Sequence, residues 1–340
     1  MPPRSELLSS VEPFGRPRQS RAAAELLETF IPYLVLNAFM VMAVRRGHPF
    51  VALALSGLAA AFLVRVFVIF HDCCHGSFFS SRRLNRIVGY AAGLLTLTPF
   101  DKWQRSHAEH HASAGDLDRR GVGDVWTLTT TEYQAATAPK RLLYRVFRNP
   151  FVMFGAGPAI VFVLGNRVVD AGATRRERFS VHFTNAGLVT SLLVAHWTIG
   201  LPTLMLIQLP TLFLAGAVGV WLFYVQHQFE DVYWARRGAW EPTRAALEGS
   251  SYYKLPKVLQ WFTGSIGLHH IHHVQPRIPS YNLQPCQDAV PAFQAVPPLT
   301  LRRSLESLRL RLFDETDQRM VSWVAVNGDG GNVRSDEPSR

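Results

Sequence analysis

Cysteine is scarce: the 340-residue chain holds three. Cys73 and Cys74 are adjacent and Cys286 is far away. They offer no disulfide framework and point to a reducing face. Residues 1–28 lack an apolar run, so no cleavable signal peptide is expected. No internal repeat is present, although two apolar hairpins around a polar middle form a crude pseudo-symmetry. Acidic residues are the minority, 25 against 35 Lys and Arg, giving a net charge of +10 and a pI near 9.9. A basic surplus can serve nucleic acid. Here the apolar runs favour anionic lipid headgroups or an acidic redox partner, and no nucleic-acid partner is expected.

Hydrophobic residues make up 48% of the chain, with a mean hydropathy of +0.07. That average hides a sharp separation into apolar runs and charged stretches. Runs at 29–44 and 50–70 are separated by Arg45, Arg46, Gly47, His48 and Pro49, which predict a tight turn. Runs at 185–199 and 204–226 are separated by Gly200, Leu201 and Pro202. About 20 apolar residues cross a hydrocarbon core, so these read as four spans. Arg65 lies near the end of its run, placed to snorkel to headgroups. Segments 87–100 and 151–164 are apolar but too short to cross, and read as re-entrant or interfacial.

The largest block of positive charge, 15 of the 35 Lys and Arg, lies between the two span pairs, which places that segment on the cytoplasmic face with both termini. The expected fold is therefore an all-α membrane protein. Four transmembrane helices form two hairpins, and a cytosolic helical cap holds a dinuclear metal site. Its parts are an N-terminal arm at 1–28, mobile and then interfacial, and a membrane domain at 29–325. The cap comprises 71–184 and 227–325, and 326–340 is a disordered tail. The expected location is a bacterial inner membrane.

The metal expectation comes from histidine. Residues 267–273 read Gly-Leu-His-His-Ile-His-His, four of the thirteen histidines in five positions. Two earlier clusters answer them, His71 with His75, and His107 with His110 and His111. A helix advances about 100° per residue, so His71 and His75 lie about 40° apart on one face. His107, His110 and His111 share an arc of about 100°, as do His269, His272 and His273. His270 falls about 60° outside that arc. Isolated histidines are usually surface or satisfied core groups; three spaced sets in one apolar chain are not. Such imidazoles would repel if charged, and would cost free energy if buried alone. A metal takes neutral imidazole and removes both problems. There are too many donors for one tetrahedral zinc, so two metals are the natural count. Imidazole suits Fe, Cu, Zn and Ni alike.

His227 ends the last span at the same membrane face, and a ligand role fits a pair of metals that needs more donors. Asp72, Glu109, Glu230 and Asp231 flank these histidines and read as acceptors for their second N–H. His48, His182 and His196 stand alone and read as structural. A transporter or metal sensor would instead carry ionisable groups along mid-span.

The three sets resemble the histidine boxes of integral-membrane fatty acid desaturases. Segments 71–80, 103–129, 221–232 and 248–273 look like the bacterial acyl-lipid branch, akin to delta-5 and plant omega-6 enzymes. The resemblance covers roughly residues 30–300. It implies that His71, His75, His107, His110, His111, His227, His269, His272 and His273 ligate two iron ions. It also implies O2 as oxidant, a membrane lipid acyl chain as substrate, and ferredoxin or flavodoxin as electron source. No His-Pro-Gly-Gly stretch marks a fused cytochrome b5-like domain, so electrons are expected from a separate protein. Box spacing alone leaves a diiron hydroxylase or ketolase open as the alternative; the surrounding sequence favours desaturation.

Overall fold

The computed structural model describes residues 3–324. The expected tail at 326–340 lies outside them. The N-terminal arm is not loose. It forms α1 (Arg4–Val11), whose Leu7 and Val11 are buried among Leu268, Ile271, Ile278 and Leu283. The arm's apolar positions thus dock on the cap.

Helix α2 (Gln19–Arg45) starts ten residues before the expected span. It turns at Gly47, where a positive φ of 80° suits glycine. Helix α3 (Pro49–His75) then runs unbroken to the first histidine pair. It is capped by Gly76 in the left-handed region. α3 is the central helix, and α2 packs along it. Arg65 does not snorkel. It is buried, pairs with Glu25, and donates from Nε to Thr29 Oγ1 at 2.9 Å. A carboxylate one helix away outcompetes the headgroups.

Helix α4 (Arg82–Leu95) and helix α5 (Phe100–Ser113) correct the reading of 87–100. That segment is no separate unit: it covers most of α4, the reversal at Thr96 to Pro99, and the start of α5. α4 lies against α3 because Gly93 lets it in. A Cβ there would stand 2.5 Å from Thr98 O and 3.0 Å from Phe70.

Helix α6 (Thr130–Ala135) and helix α7 (Ala138–Phe147) belong to the cap. Residues 151–164 follow as two wide π-helical turns, Val152–Ala156 and Ala159–Leu164, packed against the last long helix. With α7 they form a pair bent by 64°, which fits one broken span or a re-entrant loop.

Helix α8 (Arg175–Thr198) covers all but the last residue of the expected span at 185–199, but starts in a charged turn closed by a Thr174–Glu177 capping box. Asn185, His196 and other polar residues dilute it. The helices long and apolar enough to cross a membrane are α2, α3 and α9 (Leu201–His227). They are three among the described residues, or four with the bent pair. The expected fourth span at 185–199 is therefore not among them. The two long-helix turns do meet, since the Arg45 guanidinium donates to the Thr198 carbonyl.

The cap continues with α10 (Pro242–Leu247), α11 (Lys257–Phe262), α12 (His269–Val274), α13 (Ser280–Ala289), α14 (Pro291–Gln294) and α15 (Leu301–Ser304). It is not purely helical. β1 (Tyr252–Lys254) pairs parallel with β2 (Pro298–Thr300), and β3 (Leu312–Asp314) pairs antiparallel with β4 (Arg319–Val321).

Candidate metal centre

Four helices converge at one end of the bundle. α3 brings His71 and His75 in its last turn. α5 brings His107, His110 and His111. α9 ends on His227, and α12 brings His269, His272 and His273. Gly267 sets the approach of α12: a Cβ there would stand 2.4 Å from Tyr253 O, while Tyr253 N donates to Gly267 O at 2.7 Å.

The nine imidazoles fall into two groups. His71, His75, His107, His111 and His272 form one; His110, His227, His269 and His273 form the other. Within each, the candidate donor atoms lie within 4.8 Å of one another. In the first group four Nε2 atoms close a ring. The steps are 3.0 Å from His71 to His107, 3.1 Å to His111, 2.9 Å to His272 and 3.1 Å back to His71. In the second, His227 Nε2 lies 3.1 Å from His110 and 3.0 Å from His269, which is 3.1 Å from His273.

Hydrogen bonding alone cannot satisfy this packing. Each Nε2 carries one proton or one lone pair, so a four-membered ring fills at most half its contacts. His75 Nε2 is buried with no partner at all. A metal resolves both. With bonds of about 2.1 Å, ligands at right angles stand about 3.0 Å apart, matching the observed steps. Burial, reinforced by neighbouring imidazoles, pushes His107, His111, His269, His272 and His273 well below the usual histidine range. They stay neutral, the form a metal needs.

The far ring nitrogens are held from outside. Asp72 Oδ1 lies 3.2 Å from His71 Nδ1, and its Oδ2 accepts from Ser280 N at 2.6 Å. Asp124 Oδ1 lies 2.7 Å from His110 Nδ1. The Gly249 carbonyl lies 3.0 Å from His227 Nδ1. Such partners fix the ring's tautomer and aim. Trp103 stacks on His107 at 4.2 Å, and His111 stacks on His273 at 4.2 Å across the seam between the groups. A cavity of about 70 Å³ opens on that seam, lined by His111 and His273 and by Arg4, Leu7 and Leu8 of α1.

Of the four carboxylates expected beside imidazoles, the structure brings in Asp72 alone. Glu109 points away from the histidine arc and pairs with Arg105 at 2.9 Å. Glu230 and Asp231 are exposed, because the helix stops at His227 and the chain swings outward. Asp124, which sequence reasoning missed, sits in a loop between clusters; no periodicity could have flagged it. Arg148 was missed as well. It is fully buried and donates to Gln228 Oε1 at 2.9 Å and Leu310 O at 3.0 Å, tying the residue after His227 to the cap. His270 joins neither group; its Nε2 lies 3.1 Å from Gln287 Oε1, and burial lowers it to about 4. His48, His182 and His196 belong to neither group.

A helical bundle with membrane-length helices carries, at one end, two polyhistidine nests that could each hold a metal ion. A model of the family described as "Fatty acid desaturase" matches residues 48–302. The chain belongs to the fatty acid desaturase family, whose members are oxidoreductases. It is 43% identical over 335 residues to a "Fatty acid desaturase" of Bacillus subtilis, covering 98% of this chain and 95% of that one. It is 29% identical over 234 residues to the "sn-1 oleoyl-lipid 12-desaturase" of Synechocystis, 65% of this chain and 63% of that one. It is 28% identical over 243 residues to the "sn-2 acyl-lipid omega-3 desaturase (ferredoxin), chloroplastic" of Helianthus annuus, 64% and 50% respectively.

Proposed function

We propose that this desaturase inserts a cis double bond into the acyl chain of an intact membrane lipid, consuming O2 and two electrons. The reading rests above all on the two imidazole groups at the end of membrane-length helices. Two iron ions would be held, one by His71, His75, His107, His111 and His272, the other by His110, His227, His269 and His273. When bound, the metal pair supplies the oxidising power that an unactivated methylene demands. No side-chain base or nucleophile suffices, because that methylene has neither an acidic proton nor a leaving group.

The protein's own share is position and dryness. Asp72, Asp124 and the Gly249 carbonyl hold Nδ1 protons in place, so that each Nε2 lone pair faces inward. Trp103 packs on Phe67 and Phe70 and stacks against His107 of the first group. How far the acyl chain threads past the metals before its head stops sets the position of the bond.

The lipid-linked substrate is supported by the sn-1 and sn-2 acyl-lipid relatives. A ferredoxin or flavodoxin as electron source is supported by the ferredoxin named for the sunflower enzyme. The charge bias supports a cytoplasmic cap with both termini on that side of a bacterial inner membrane; four crossings in two hairpins would take α8 as the fourth, although it is less apolar than α2, α3 and α9. A reporter at Gly47 should then read outside and one at residue 2 inside. The deciding experiment is expression in a host lacking the activity, followed by mass spectrometry of its fatty acids. A new alkene is expected; an alcohol or ketone instead would move the chain to the hydroxylase or ketolase reading.

A further inference from the structure

The cap carries a second feature unrelated to the histidines. β1 and β2 run parallel, with Lys254 opposite Thr300. Both strands therefore deliver their following helices, α11 and α15, at the same end of the ladder. Four cations ride there side by side: Lys254 and Lys257 on one arm, Arg302 and Arg303 on the other. All four are exposed, and none has a carboxylate within ion-pair distance among the described residues. Glu306 is the one acid in 252–262 and 298–309.

Large apolar side chains share this surface. Val258 is 67% exposed and Leu305 56%, with Leu259 and Leu301 exposed beside them. In water such a mixture would be costly for a cap.

Its depth explains it. α11 packs on the long helix α3, with Trp261 and Phe262 edge-on to Phe62 at 6.0 and 5.2 Å. The Arg65 guanidinium lies 3.9 Å over the Trp261 ring. Arg65 is ten residues before His75, about 15 Å back along the helix. α15 and the turn after it hang on α9: Ser304 Oγ is 3.1 Å from Tyr253 OH, which accepts from Trp221 Nε1 at 3.3 Å. Tyr224 OH donates to Ser307 O at 2.7 Å. α11 thus meets α3 about 15–20 Å short of its histidine end, and α15 with the turn after it meets α9 within two turns of His227, so both arms lie along membrane-length helices.

We infer that the α11–α15 face binds the phosphate headgroup of an anionic phospholipid. Lys254, Lys257, Arg302 and Arg303 meet the phosphate, and Val258, Leu259, Leu301 and Leu305 enter the acyl region. Apolar flanks under a cationic rim are how interfacial segments hold such lipids. The site does not depend on the desaturase chemistry.

The test is lipid retention, not turnover. Full-length protein is equilibrated with equal phosphatidylglycerol and phosphatidylcholine, then the bound lipids are counted by native mass spectrometry. Wild type should keep phosphatidylglycerol selectively. A variant with Lys254→Gln, Lys257→Gln, Arg302→Gln and Arg303→Gln should keep about tenfold less, with metal content unchanged. A control with Arg82→Gln, Arg83→Gln, Arg175→Gln and Arg176→Gln removes as much charge from the same end of the bundle and should keep the wild-type amount. Equal retention in all three proteins would overturn the site. So would equal loss in both variants, since net charge would then explain it. Displacement of the lipid by inorganic phosphate would show a general anion site and would equally refute the lipid assignment.

Discussion

At the residue scale, the split of nine histidines into five and four makes His272 and His270 opposites despite their closeness in sequence. His272 Nε2 touches two other donors, whereas His270 faces Gln287. We expect His272→Ala to lose metal from one site of two, read by elemental analysis, and His270→Ala to keep both. Asp124→Asn should keep the fold and weaken metal affinity by about 10–100-fold, measured by competition with a chelator. Unchanged affinity there would reduce the Asp124 contact to packing. The histidines were legible because ligands on a helix repeat at three and four residues. Asp124 and the Gly249 carbonyl were not, because loops have no period. Glu109, Glu230 and Asp231 misled for the same reason: nearness in sequence says little about direction once a helix turns or stops.

At the scale of elements, Gly93 tests what holds α4 against α3. On a free helix surface Gly→Ala stabilises by up to about 1 kcal/mol. Here the new methyl would meet Thr98 O and Phe70. Gly93→Ala should therefore destabilise by about 1–3 kcal/mol, seen as a lower Tm in a fixed detergent. A raised Tm would show that the reversal before α5 can yield. Helices α2, α3 and α9 were readable as apolar runs, but their ends were not. Each extends past the hydrophobic stretch, because polar ends such as Gln19 to Glu28 continue the helix into the cap. Arg65 was misjudged because its partner Glu25 lies outside the run that was read as the first span.

At the scale of the whole molecule, seven cations lie within or beside the first two histidine clusters in sequence: Arg82, Arg83, Arg86, Lys102, Arg105, Arg119 and Arg120. The structure pairs most of them. Arg86 pairs with Asp101, Lys102 with Asp170, Arg105 with Glu109 and Glu177, Arg119 with Asp116, and Arg120 with Glu132. Of that set Arg82 and Arg83 have no acid partner among the described residues. If an acidic carrier delivers electrons there, charge reversal at both should slow donor-limited turnover and flatten its salt dependence, with iron content intact. A variant as salt-sensitive as wild type would remove these two from the docking surface.

Helix α1 has a consequence for the lifetime of the metals rather than for catalysis. Leu7, Leu8 and Arg4 line the cavity together with His111 and His273, so α1 narrows the opening by which a small chelator meets the seam. The rate of metal stripping should then depend on how firmly that eight-residue helix is seated. Leu7→Ser should speed that rate while leaving the equilibrium affinity of the imidazoles nearly unchanged. Stopped-flow chelation measures that rate.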